Sequence, residues 1–229
     1  MTDEKEIRAL DLFSGIGGFS LGLKRASPRF RTVAYCEIDS YCQKVLQARM
    51  SDGSLDTAPI CTDITKLDGK PWRGRVDLVC GGFPCQDISI AGKRAGIEGK
   101  QSGLWSEFAR LIGEIRPRFI FVENVSALLG RGLDVVLGDL AESGYDAEWD
   151  CLPACAFGAP QRRDRIWIVA YTAEAGREFF APSENKSTTT SIFPKSWSYD
   201  FGLGVAKQLA SEAASRFRRV DIRIPNRVD

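Results

Sequence analysis

From residue 7 to residue 171, short apolar runs alternate with helix-length stretches, and several of the runs end in glycine, cysteine or a carboxylate. "IRALDLF" (7–13) stops at "SGIGG" and is followed by the helix-like "FSLGLKRA". "RTVAYCEID" (31–39) reads as a second strand, and "SYCQKVLQARM" as a helix with Ser40 as its N-cap. "APICTDI" (58–64) and "VDLVCGG" (76–82) read as a third and a fourth strand. The amphipathic "SEFARLIGEIR" (106–116) precedes a fifth, "FIFVENV" (119–125). "LDVVLGDLAESG" (133–144) is a helix with Gly144 as its C-cap, and "DAEWDCL" and "RIWIVAY" (165–171) read as two late, paired strands. Strands separated by helix-length segments specify an α/β fold with a doubly wound, mostly parallel sheet.

Beyond residue 171 the alternation stops. "APSENKSTTTSIFPKSWS" (181–198) is rich in Ser, Thr and Pro and reads as loop or linker, while "LGVAKQLASEAASRF" (203–217) has the spacing of one helix. With 229 residues, the chain suits one α/β domain, with or without a small appendage. No apolar run nears the ~20 residues of a membrane helix. "MTDEKEIRAL" lacks the shape of a signal peptide, so a cytoplasmic protein is expected.

Histidine is absent, so acid–base work near neutral pH falls to carboxylates, cysteine, lysine or water. The seven cysteines form no C-x-x-C pair, which argues against zinc, and no metal is expected. A net charge of +1 neither favours nor excludes a nucleic-acid partner, but "QRRDR" (161–165) and "RFRRVDIRIPNR" (216–227) are local basic clusters.

In a sheet of this kind, ligands gather at the carboxyl edge of the strands. "DLFSGIGG" (11–18) brings a glycine-rich turn to that edge, either as a tight βα turn or as a backbone cradle for a ligand. Its G-x-G-G spacing is a poor match to the G-x-G-x-x-G of dinucleotide enzymes. Glu37 at the second strand end can accept from ribose hydroxyls, while Asp39 two residues on is the structural alternative, for example as a helix cap. Asp63 at the third can reach an adenine amine. Cys85 and Glu123, after the fourth and fifth strands, come to the same edge as a candidate nucleophile and a candidate proton carrier. "QRRDR" is either a solvated turn or a source of cations, since Arg163 and Arg165 share a strand face.

The strings "DLFSGIGGFSLGL", "GGFPCQDISIAGKR", "SGLW", "VENV" and "GAPQRRDRIWIVA" together resemble the cytosine-C5 DNA methyltransferases, in order and spacing, over roughly residues 7–171. The resemblance implies a Rossmann-like fold that binds S-adenosyl-L-methionine, with double-stranded DNA as partner and no metal. It implies that Cys85 attacks C6 of a cytosine flipped out of the helix, while Glu123 binds the N3 edge and exocyclic amine. Arg165 would contact the base carbonyl, and Arg163 would hold the site and nearby phosphate. Phe13, Ser14, Gly15 and Gly17 would line the cofactor. Glu37 and Ile38 would hold its ribose side and Asp63 and Ile64 its adenine, with Pro84 and Leu104 completing the pocket. Gln86, Ser89, Lys93 and Gln161 would contact DNA. "AGKRAGIEGKQSG" (91–103) is similar to the family's DNA-closing loop, with Ala91 where relatives often carry a second serine.

The resemblance divides the chain into a catalytic and cofactor-binding part, 1–171, and a short, vestigial or partial target-recognition region with a truncated C-terminal segment, 172–229. Relatives end with a Gly-Asn-Ala segment beside the cofactor, and no such string follows "IPNRVD" here. The expectation is weak activity from this chain alone, with a second polypeptide able to supply the missing segment. A tRNA cytosine methyltransferase and a non-catalytic cofactor- or DNA-binding protein are the competing readings.

Overall fold

The computed structural model describes residues 6–84 and 103–180, with side chains through Gly176. Cys85, Gln86, Ser89, Lys93 and the whole stretch after residue 180 lie outside the described residues. The element order is β1 (Ile7–Leu12), α1 (Gly18–Ala26), β2 (Phe30–Cys36), α2 (Ser40–Ser51), β3 (Ile60–Cys61) and β4 (Leu78–Gly81). It continues with α3 (Leu104–Ile115), β5 (Phe119–Val125), α4 (Leu133–Glu142), β6 (Tyr145–Pro153), β7 (Asp164–Thr172) and α5 (Ala173–Phe180). None of these helices is long and apolar enough to cross a membrane.

The strands form one sheet in the order β3-β2-β1-β4-β5-β7-β6. Strands β1 to β5 are parallel, and β7 and β6 close the edge as an antiparallel pair. The near-continuous apolar runs of β1, β4 and β5 follow from burial on both faces. One face packs Leu10, Leu12, Ile120 and Val122 against Phe108, Leu111 and Ile115 of α3 and Val136 and Leu140 of α4. The other packs Ile7, Ala9, Phe119 and Phe121 with Leu23 of α1 and Ala175 of α5. The chain winds outward from β1 to β3 and then returns to β4 on the far side of β1. The strand order therefore reverses at β1/β4, and the crevice at that reversal is where such sheets bind ligands.

Two local expectations are corrected. Asp39, not Ser40, caps α2: its side chain accepts from Cys42 N–H at 2.8 Å, and Ser40 is already helical. The third strand is only Ile60–Cys61, because Asp63 Oδ1 accepts from Thr65 N–H at 3.0 Å and turns the chain into a short 3-10 helix. The second strand likewise leaves its ladder at Cys36, so Glu37 and Asp39 sit just past it. Gly144 follows α4 with φ 85, and its N–H donates to the Ala141 carbonyl, the geometry of a terminating glycine.

Candidate active site and cofactor pocket

The turn after β1 is held from both sides. Gly15 and Gly17 have φ of 54 and 87, a region glycine enters without strain. A Cβ on Gly17 would stand 2.5 Å from Leu55 Cδ1, so the turn also needs glycine to pack there. Ser14 N–H donates to the Cys36 carbonyl at 3.0 Å, and Ser14 Oγ donates to the Asp11 carbonyl at 2.6 Å. Glu37 completes the lacing: Oε2 accepts from Gly15 N–H at 2.6 Å and Oε1 from Asp39 N–H at 2.8 Å. Each carboxylate oxygen has two lone-pair directions, so one acceptor position per oxygen is left for a ligand hydroxyl.

These residues fit a nucleoside. A carboxylate meets two backbone N–H groups beside a glycine-rich turn, and the exposed side chains of Ile16 and Ile38 flank it. Phe13 stacks on Phe108 with centroids 6.3 Å apart, and Phe108, Trp105 and Phe83 continue as an aromatic column. That column links the glycine-rich turn to the segment after β4, where Pro84 is exposed and Leu104 half-buried. Asp63 carries more structural work than its sequence suggests. Its Oδ1 takes both Thr65 donors and its Oδ2 faces Lys66 Nζ at 3.3 Å, so only the Lys66 side can be exchanged for a ligand amine. Ile64 is buried in the main core and offers the pocket little beyond its edge.

Across the β1/β4 reversal sits a carboxylate–guanidinium pair. Register sets Val125 of β5 opposite Arg165 of β7, which brings Arg165 Nε to 2.7 Å from Glu123 Oε1. Burial raises the Glu123 carboxyl above the usual glutamate range, against the lowering exerted by Arg165 and Arg163. Such a group can bind a proton at a base edge more readily than an exposed glutamate. Gly82 forms the floor beneath it: a Cβ there would stand 2.6 Å from Glu123 Oε2. The adjacent Asn124 is buried, and its Nδ2 donates to the Phe83 carbonyl at 3.0 Å, tying β5 to the segment that leads into Cys85. Arg163 and Gln161 are exposed just before β7, and Arg162 pairs with Asp164 at 3.2 Å.

Glu123, Arg165 and Arg163 thus come together at one edge, and Phe13, Ser14, Gly15 and Glu37 form a second cluster along the same edge. Three residues carry local structure that sequence reasoning missed. Gly82 and Asn124 were visible only as neighbours of Phe83 and Glu123 in their motifs. Asp11 was hidden inside an apolar strand. It is fully buried, with Ser20 Oγ donating to its Oδ2 at 2.6 Å, and burial pushes its carboxyl up to about 7.

The family model for C-5 cytosine-specific DNA methylase matches residues 7–209. The chain belongs to that family. Among curated members of the methylase family, Type II methyltransferase M.Eco47II of Escherichia coli is 38% identical over 166 residues, covering 70% of this chain and 38% of the relative. Type II methyltransferase M.HhaI of Haemophilus parahaemolyticus is 34% identical over 169 residues, covering 72% of this chain and 49% of the relative. The chain therefore spans between about two fifths and one half of these methylases' length. A Spodoptera frugiperda DNMT2 mutant structure aligns with TM-score 0.62 at 19% identity, covering 80% of this chain and 54% of that one. A DNA modification methyltransferase encoded within an E. coli prophage aligns at 0.60 and 24% identity, covering 78% and 51%. These two structures share the fold of the methylase described above.

Proposed function

We propose that this chain carries the catalytic half of a DNA (cytosine-5)-methyltransferase acting on double-stranded DNA with S-adenosyl-L-methionine. The observation that carries the reading is the Glu123–Arg165 pair, 2.7 Å apart beside Gly82, three residues before Cys85 and on the same sheet edge as the Glu37 cradle. Residues 1–171 hold this machinery, and the stretch 172–229 serves target recognition.

The chain's own groups divide the work. Cys85 loses its proton and adds through sulfur to C6 of a flipped cytosine, with the displaced electron pair moving toward C4 and N3. The raised carboxyl of Glu123 supplies a proton to the N3 edge, and its other contacts with the exocyclic amine fix the ring. Arg165 holds Glu123 in place through Nε, is itself anchored by Nη1 donating to the Asp164 carbonyl at 2.9 Å, and leaves Nη2 for the base carbonyl, while Arg163 adds positive charge for a phosphate. S-adenosyl-L-methionine, when bound, supplies an electrophilic methyl group to C5. Loss of the C5 proton then returns the electron pair that expels the Cys85 thiolate. Glu37, with Gly15 and Asp39 N–H groups already on its oxygens, holds ribose hydroxyls. Phe13, Ser14, Gly17, Ile38, Asp63, Ile64, Pro84 and Leu104 wall the pocket, and Gln86, Ser89, Lys93 and Gln161 reach DNA.

The test is a labelled-methyl transfer assay on duplex DNA beside tRNA, with bisulfite sequencing of DNA from cells expressing the chain. Methylated cytosines in one DNA sequence context are expected. Transfer to tRNA alone would overturn the DNA assignment.

A further inference from the structure

Cys36 closes β2 and Cys61 closes β3, and the two are register partners across a parallel ladder. In-register neighbours on adjacent strands lie ~4.8 Å apart and project from the same face. That separation falls within the ~4.4–6.8 Å Cα spacing of disulfides. Both cysteines are free thiols. Cys61 Sγ donates to the Asp63 carbonyl at 3.3 Å. Cys36 is buried and Cys61 partly exposed. Their neighbours in the chain are Glu37 and, one residue beyond Thr62, Asp63. The backbone around them is shared with the pocket: Glu37 N–H donates to the Cys61 carbonyl at 2.9 Å, and Cys36 N–H donates to Ser14 Oγ at 3.2 Å.

We propose that Cys36 and Cys61 are a modification site, a reversible dithiol–disulfide pair at the base of the cofactor pocket, oxidised by exchange with a low-molecular-weight disulfide. Cys61, the reachable thiol, attacks one sulfur of the small disulfide; a mixed disulfide forms and a small thiol leaves with one proton. Cys36 then attacks the Cys61 sulfur, the mixed disulfide breaks, and a second small thiol leaves with the other proton. Two protein thiols are oxidised and one small disulfide is reduced to two thiols. Burial pushes the Cys36 thiol well above its usual range, which makes the second step the slow one. Closing the bond removes the Cys61 Sγ–H that donates to the Asp63 carbonyl and re-aims both cysteine side chains, which disturbs Glu37 and Asp63, the carboxylates that follow the two strand ends.

The chemistry of the pair stands on geometry alone, whereas its effect on the cofactor rests on the proposed pocket, and one experiment separates the two. The 229-residue chain is incubated with oxidised glutathione, mapped by non-reducing peptide mass spectrometry, and titrated calorimetrically with S-adenosylhomocysteine before and after. The expected map contains a Cys36–Cys61 peptide pair lighter by two hydrogens, restored by dithiothreitol and absent from Cys36→Ser and Cys61→Ser. The map on the unsubstituted chain decides the matter even if a variant folds poorly. Affinity for S-adenosylhomocysteine is expected to fall at least tenfold on oxidation and to recover on reduction. Two free thiols, a glutathione adduct that stops at Cys61, or a bridge elsewhere would overturn the site. A Cys36–Cys61 bridge with unchanged affinity would overturn its coupling to the pocket. No binding by the reduced chain would contradict the pocket assignment instead.

Discussion

Replacing Gly82 with alanine should separate activity from stability. An ideal Cβ at 82 stands 2.6 Å from Glu123 Oε2, and ordinary contact begins near 3.4 Å, so the carboxylate must retreat by about 0.8 Å. Its other oxygen holds Arg165 Nε at 2.7 Å, and a retreat of that size takes the pair out of the ~2.7–2.9 Å range of charge-assisted hydrogen bonds. A hydrogen bond to a charged group is worth about 1.5–3 kcal/mol, which is roughly 10- to 150-fold in kcat/KM. The fold should suffer little. The atom struck is the tip of a flexible side chain, and the Gly82 backbone lies outside the left-handed region that penalises alanine. The assay is labelled-methyl transfer on duplex DNA with thermal unfolding alongside. The expected result is a 10- to 150-fold loss of kcat/KM with a melting temperature changed by no more than a few degrees. Normal turnover in Gly82→Ala would show that Gly82 does not set the carboxylate's position.

Three further outcomes follow from the same geometry. Glu37→Ala should weaken S-adenosylhomocysteine binding by about 1.5–3 kcal/mol in calorimetry, the scale of hydrogen bonds to a charged group; unchanged affinity would remove Glu37 from the pocket. Asn124→Ala orphans the buried Phe83 carbonyl and should cost about 1–3 kcal/mol in urea denaturation, and a smaller loss would mean that water replaces the amide. Asp11, raised from 3.8 to about 7 by burial, keeps a proton in the folded state that the unfolded chain releases. Its contribution to stability is full below about pH 4 and is lost as pH rises through about 7. Relative to Asp11→Asn, the unsubstituted chain should therefore lose roughly 2.3 kcal/mol between pH 5 and pH 7, because the slope of ~1.36 kcal/mol per pH unit flattens as pH reaches the folded value of about 7. A pH-independent difference between the two proteins would contradict this.

Much of the sheet was legible because β1, β4 and β5 are buried on both faces and so read as unbroken apolar runs. "FIFVENV" coincides with Phe119–Val125. Boundaries set by side-chain caps were harder to read. Ser40 has the preferred cap chemistry, but Asp39 also has it and stands one residue earlier, at the extended position that a cap requires. Asp63 ended a strand in the sequence, yet its contacts with Thr65 show a carboxylate spent largely on its own turn. Pairings between distant segments needed the fold. Glu123 and Arg165 are brought to 2.7 Å only because β7 runs antiparallel beside β5, and nothing local to either motif encodes that register. The contact between Gly82 and Glu123 is likewise a property of adjacent strand ends. Asp11 was overlooked because its partners, Ser20 and through it Thr32, come from a helix and a neighbouring strand.

The central claim is that the thiol of Cys85, four residues past β4 in sequence, and the carboxylate of Glu123 in β5 act together on a flipped cytosine. It is tested most directly by incubating the chain with S-adenosyl-L-methionine and duplex DNA carrying 5-fluorocytosine at the target. Fluorine cannot leave C5 as a proton does, so the covalent intermediate is trapped. The account predicts a denaturation-resistant protein–DNA adduct that maps to Cys85, survives Cys80→Ala and disappears in Cys85→Ala. An adduct that persists in Cys85→Ala, or methylation of ordinary cytosine with no adduct on the fluorinated duplex, would contradict it.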